Sequence, residues 1–200
     1  EICAEAPEAY RAASAIHPLL AGPLSPVKGI LMSEVFSHLN ITGIYCPYTA
    51  EANLNVNAPP STLPLTACHE LAHRLGFARE DEATFLGYLA CTASDDPAFA
   101  YSGLFTALIH AGNALSAEDA EAYRALWERY SPGLARDMAQ NNAYWDQYRG
   151  KAEQIQSAVN DQYLKGNGQS AGVKSYGQVV DLLLALRAQQ GALPTPAALP

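Results

Sequence analysis

The sequence predicts an α+β domain, predominantly helical, with a small β element just ahead of a histidine-bearing helix. Three observations carry that reading. Apolar residues recur at helical spacing from Pro64 onward, and capping residues and first-turn prolines mark the helix ends. Only residues 41–57 change period, toward β-branched, aromatic and alternating residues. The chain of 200 residues is 49% hydrophobic and has no linker-like stretch, which suits one domain over 1–190 with a flexible tail at 191–200.

The elements follow in order. Glu5 to Leu20 has helical spacing and stops before Gly22-Pro23, and a shorter helix is expected from Gly29 to Leu39. "ITGIYCPYTAEANLNVN" then holds two strands. Ile41 to Tyr45 is β-branched and aromatic, while Glu51 to Asn57 alternates Leu54 and Val56 on one face with Asn53, Asn55 and Asn57 on the other. Beyond Pro64 the chain reads as helix. Asp96-Pro97 and Ser131-Pro132 each set an N-cap before a first-turn proline. Ser116 opens another helix with Glu118 and Asp119 in its first turn, where the dipole favours acids. Ser175-Tyr176-Gly177-Gln178 fits a capping box ahead of "VVDLLLALRAQQ", and "GALPTPAALP" is a frayed end.

Charge and cysteine usage exclude several functions. A net charge of -8 with scattered basic residues argues against nucleic acid and against a polybasic membrane-surface segment. Cys3, Cys46, Cys68 and Cys91 are too dispersed for CxxC knuckles or a dense disulfide framework. Cys68 and Cys91 lie in apolar helical patterns and read as buried thiols. No stretch approaches the ~18 apolar residues of a membrane span.

The chemistry concentrates in "TACHELAHRLGFAREDEATFLGYLAC", residues 66–91. Positions i and i+4 share a helix face, so His69 and His73 aim two imidazoles at one point. Two imidazoles suit Zn2+, which in catalytic sites adds a third protein ligand and keeps a water. Glu70, next to the first histidine, is placed to take a proton from that water, while zinc lowers the water's pKa and polarises a scissile carbonyl. Leu65, Cys68, Leu71, Ala72 and Leu75 supply an apolar face on which to bury the helix, and Gly76 stands where it can end on a left-handed residue. The third ligand is expected shortly downstream in "REDEATF".

Glu80-Asp81-Glu82-Ala83-Thr84 resembles the Glu-x-x-small-[Asp/Asn] pattern of zinc peptidases with a glutamate ligand. That resemblance makes Glu80 the first choice of ligand and Thr84 the group that orients a ligand histidine. Glu82 is the second choice, and Asp81 serves to cap the helix. The short spacer also resembles the HExxHxxGxx[His/Asp] arrangement of metzincins, but Arg79 occupies their third-ligand position.

The longer string from Ile41 to Cys91, with "YLKGNGQSAGVKSYGQVVDLLLA" near the C-terminus, resembles a family of bacterial membrane proteins defined as a domain of unknown function and zincin-like by motif. Its members carry transmembrane helices ahead of the soluble part. The resemblance therefore implies a zincin-like fold, membrane anchoring through a segment absent from this chain, and an extracytoplasmic domain. In zincin-like folds an edge strand beside the cleft pairs with an extended peptide, and Glu51 to Asn57 is the candidate.

An oxyanion donor is expected from Tyr163 or Tyr176, which flank the Gly-rich loop, with His110 and Arg79 as further options. "KGNGQSAGVKS" fails the phosphate-loop spacing and reads as a connection. The aromatic residues Tyr123, Trp127, Tyr130, Tyr144, Trp145 and Tyr148 read as helix-packing groups. The expected function is a zinc metallopeptidase acting on a peptide or protein substrate, with Glu70 as general base. The alternative is a non-catalytic zinc-containing sensor or scaffold domain that binds a protein partner.

Overall fold

Two prolines shape the first helix. The computed structural model describes residues 1–148 and 178–191 and begins with α1, Ile2–Ile16. Pro7 lies inside it, and the Cys3 carbonyl left without an intrahelical donor accepts from the Val27 N–H at 2.9 Å. The expected span Glu5–Leu20 divides before Pro18: a proline drives its predecessor out of the α region, and His17 sits at φ -123°, ψ 87°. A 3-10 turn, Pro18–Leu20, follows.

The expected helix from Gly29 to Leu39 is shorter than its pattern. Lys28–Gly29 is strand β1, and α2 covers only Ser33–His38. Gly29 is drawn into a sheet instead, with the next residue, Ile30, donating to the Leu54 carbonyl at 2.9 Å. Strands β2 (Gly43–Cys46) and β3 (Glu51–Leu54) complete the sheet in the order β1-β3-β2, β3 being parallel to β1 and antiparallel to β2.

The strand pattern differs from expectation in two ways. Alternation ends at Leu54, because Asn55 is fully buried while Val56 is 51% exposed. The Asn55 amide donates to the Ile41 carbonyl at 2.9 Å and to Ser37 Oγ at 3.0 Å, and its Oδ1 accepts from the Asn57 N–H, an Asx turn that closes the strand. The second difference concerns the edge. β3 is the central strand, paired on both sides, so the segment Glu51 to Asn57 offers no free edge. That edge belongs to β2. Asn55 N–H donates to Thr42 O, and in an antiparallel ladder such pairs alternate. The N–H and C=O groups of Gly43 and Tyr45 therefore point away from β3.

Helix α3 (Leu63–Arg74) runs under this sheet and is buried along nearly its whole length. Pro64 in the first turn lacks a donor, and the Leu65 N–H is satisfied from elsewhere in the fold by Ser102 Oγ at 3.0 Å. α1, α4 (Glu80–Ala93) and α5 (Pro97–Glu118) pack around it. Tyr10, buried on α1, donates its hydroxyl to the Cys68 carbonyl at 2.8 Å. Leu71, Ala67, Cys68 and Ala72 are each fully buried on α3, and a side chain such as Leu71 contributes ~1.5–3 kcal/mol. All four cysteines are free, with Cys68 and Cys91 buried.

Further along, α5 runs through Ser116 without a break. The start of α6 (Ala120–Trp127) is marked by Asp119, whose Oδ1 accepts from the N–H groups of Glu121 and Ala122 at 3.0 and 2.9 Å. A carboxylate that reaches two orphan donors makes a stronger cap than the serine three residues earlier. Asp96 and Ser131 cap α5 and α7 (Pro132–Tyr148) as expected, accepting from Ala98 and Leu134. Trp127 packs between Tyr123 and Tyr130 in tilted ring contacts, and α6 buries none of its residues. α8 (Gln178–Gln190) packs against α4 and α5. Ser175 of the expected capping box, the Gly-rich loop and the tail beyond Gly191 lie outside the described residues. No described helix is long and apolar enough to cross a membrane.

Contact between α3 and α4 depends on Gly87. A Cβ there would lie 3.2 Å from the His69 backbone nitrogen and 3.4 Å from the Leu65 carbonyl oxygen. Gly87→Val should therefore wedge the two helices apart and cost roughly 1–3 kcal/mol in urea unfolding. An unchanged midpoint would contradict the packing described.

Candidate metal centre

Two helices and the turn between them build the site. α3 ends on a Schellman motif: Gly76 adopts φ 101°, its N–H donates to the His73 carbonyl at 3.0 Å, and the Phe77 N–H reaches back to Ala72 O at 3.2 Å. The chain reverses within Leu75 to Arg79, and α4 returns along α3. Glu80, Thr84 and Gly87 recur at i, i+4 and i+7, so one stripe of α4 faces His69 and His73.

Three ligand-type atoms converge there. His69 Nε2 and His73 Nε2 are 3.0 Å apart, Glu80 Oε2 lies 3.2 Å from the first, and Glu80 Oε1 lies 3.6 Å from the second. The side chains are 14%, 14% and 21% exposed. The outer ring nitrogens are occupied. His73 Nδ1 donates to the Phe77 carbonyl at 2.8 Å, which leaves Nε2 of the neutral ring with only a lone pair. His69 Nδ1 is 3.0 Å from Thr84 Oγ1. Both rings are thus held with Nε2 inward, as buried metal-ligating histidines require.

The donor set fits a metal. Two imidazoles and a carboxylate suit zinc, whose bonds of about 2.0–2.2 Å give tetrahedral edges of roughly 3.3–3.5 Å, close to the separations present. Among the described residues, His69, His73 and Glu80 form the one group of three ligating side chains close enough to share an ion, their ligand atoms lying within 4.8 Å of one another. Electrostatics follow from that closeness. Burial pulls the His69 imidazolium down, but the Glu80 hydrogen bond and the Glu70 and Glu80 charges outweigh it and raise its pKa. His73 is lowered by burial and by His69. Glu80 resists burial through its bond to His69 and the two imidazole charges, and its pKa falls.

Glu70 follows His69 on α3 and turns toward β2. It is 4% exposed, and burial pushes its carboxyl up to about 7, opposed by His69, reinforced by Glu80, and opposed again by a hydrogen bond from the Tyr45 N–H. Its carboxylate rests against Gly43 on β2.

The other expected residues fall elsewhere. Glu82 points outward, 43% exposed, and pairs with Arg79. Asp81 is buried, but it receives two hydrogen bonds from Arg79 and does not cap α4. Arg79 also donates to Gln178, so it is turned toward α8 and away from the imidazoles. His110 lies near enough for the His69 charge, after burial, to lower its pKa. Tyr163 and Tyr176 lie outside the described residues. Three contributors escaped the sequence reading: the Phe77 carbonyl, Tyr45 N–H and Gly43. Gly76 foreshadows the first, since a Schellman turn folds the residue after it back over the helix. A glycine inside a strand, a usual mark of close approach, was the signal for the last.

Metal binding should therefore be lost on His69→Ala, His73→Ala or Glu80→Ala and kept in Glu82→Ala, as read by elemental analysis of protein purified without chelator. Thr84→Val should weaken metal affinity about 10–100-fold by competition titration, because the His69 ring loses its anchor.

Neither a curated protein nor a solved structure matches the chain. The family described as Protein of unknown function (DUF3810) matches residues 1–184, and the chain belongs to it.

Proposed function

We propose that this domain is a zincin-like, zinc-dependent metallopeptidase that hydrolyses peptide bonds, the soluble part of a membrane-anchored protein. The observation that carries the reading is the convergence of two inward imidazole nitrogens and a carboxylate, with a separate buried carboxylate, Glu70, on the next residue after His69. A purely structural site has no use for that fourth group.

His69, His73 and Glu80 would hold the ion. When bound, zinc supplies Lewis acidity, polarising the scissile carbonyl and acidifying the attacking water. The chain's own residues do the rest. Glu70 accepts the proton as the water oxygen bonds to the carbonyl carbon, then delivers it to the departing amide nitrogen as the C–N bond breaks. Phe77 and Thr84 keep the imidazoles from turning. The free edge of β2 offers the N–H and C=O of Gly43 and the C=O of Tyr45 to an extended peptide, which favours a polypeptide substrate over a small ester or amide. Anchoring rests on sequence resemblance alone, carried chiefly by residues 41–91, and would need a membrane segment outside this sequence.

Glu70→Gln should abolish peptidase activity, by at least ~100-fold, while zinc content stays at one per chain. Activity equal to wild type in that variant would sink the catalytic reading and favour a zinc-ordered scaffold.

A further inference from the structure

Strand β2 does more than flank β3. Glu70 lies almost wholly within the protein, and two groups of the strand stand against its side chain: the Tyr45 N–H that bonds it and the bare Cα of Gly43. A Cβ at Gly43 would stand 2.5 Å from Glu70 Oε1, 2.7 Å from Cγ and 2.8 Å from Cδ. Non-bonded carbons settle at about 3.5–4.0 Å, so even a methyl group cannot share that space with the carboxylate where it stands. The backbone of Gly43 gives no other reason for glycine, since its φ is not among the positive ones.

We infer that Gly43 is a positioning residue: the gap it leaves on β2, with the adjoining Tyr45 N–H, seats the Glu70 carboxylate beside the metal centre. The seat lies on the strand whose outer edge has no strand partner among the described residues. Tyr45 N–H is already committed to Glu70, so an incoming strand is left with Gly43 N–H, Gly43 C=O and Tyr45 C=O. Peptide pairing and orientation of the base thus act through one four-residue strand. In its catalytic arm this inference rests on the peptidase reading; its structural arm does not.

Gly43→Ala tests it. The substitution keeps every edge donor and acceptor and all three metal ligands, so KM and zinc content should hold while kcat falls ~100-fold, the scale of an ångström-sized misplacement. A general loosening of the fold would move KM and zinc content as well. The structural arm reads the carboxyl 13C resonance of Glu70 in zinc-loaded protein labelled with [13C-carboxyl]glutamate, assigned by its loss in Glu70→Gln. A shifted resonance in Gly43→Ala supports the seat; an unshifted one overturns it, whether or not wild type cleaves a peptide. A wild type without activity refutes only the peptidase reading. If Gly43→Ala is too unstable to study, Gly43→Ala/Glu70→Ala decides: removing the crowded carboxylate should restore folding. A double variant as unstable as the single would mean the added methyl strikes something other than Glu70.

Discussion

Two imidazoles and a carboxylate crowd around one point in this protein, and of their four inward atoms only His69 Nε2 can carry a proton while both rings are neutral. His73 Nε2 is bare because its other nitrogen gives its proton to a carbonyl, and Glu80 brings two more acceptor oxygens. Lone pairs at 3.0–3.6 Å repel, and the side chains are largely withdrawn from the water that would screen them. A single cation resolves the conflict. A proton on His69 does so partially, which is why that imidazolium is favoured against its own burial. A divalent ion satisfies all three side chains together.

The fold is arranged so that relaxing this arrangement is costly. Turning His73 outward would break its bond to Phe77, whose position is fixed by the Schellman turn at Gly76. Gly87 seats α4 closely against the His69 backbone, which keeps the Glu80 backbone near both imidazoles. α3 itself is wedged between α1, α5 and the sheet, with Tyr10 and Ser102 tied to its backbone. Core and site are therefore one object. The apolar residues that bury α3 also hold the imidazoles in place, and the glycines that allow close packing sit directly against the His69 backbone and the Glu70 side chain.

Legibility in the sequence followed the range of the interactions. His69 and His73 could be placed because helical periodicity puts them on one face, Glu80 and Thr84 because their spacing resembles a glutamate-ligand motif, and Gly76 and the Asp96 and Ser131 caps are local signals read from neighbouring residues. Misreadings arose where tertiary partners override local pattern. Val56 and Asn55 exchange the expected faces because Ser37 and the Ile41 carbonyl claim the Asn55 amide. Gly29 leaves its apparent helix because β3 offers a ladder partner. The edge strand was assigned to β3 when it is β2, since strand order cannot be read from alternation. Ser116 competed for a cap with Asp119, and the carboxylate prevailed. Gly43 was visible as a residue, but its significance is a distance to a side chain 27 positions away, which no local pattern encodes.

The most direct test of the central claim is X-ray absorption at the zinc edge of the protein loaded with one equivalent of zinc. Nitrogen and oxygen neighbours alone at about 2.0–2.2 Å, with outer-shell scattering from two imidazole rings, are predicted. Sulfur at about 2.3 Å, fewer than two imidazoles, or no retained zinc would contradict a centre built from His69, His73 and Glu80.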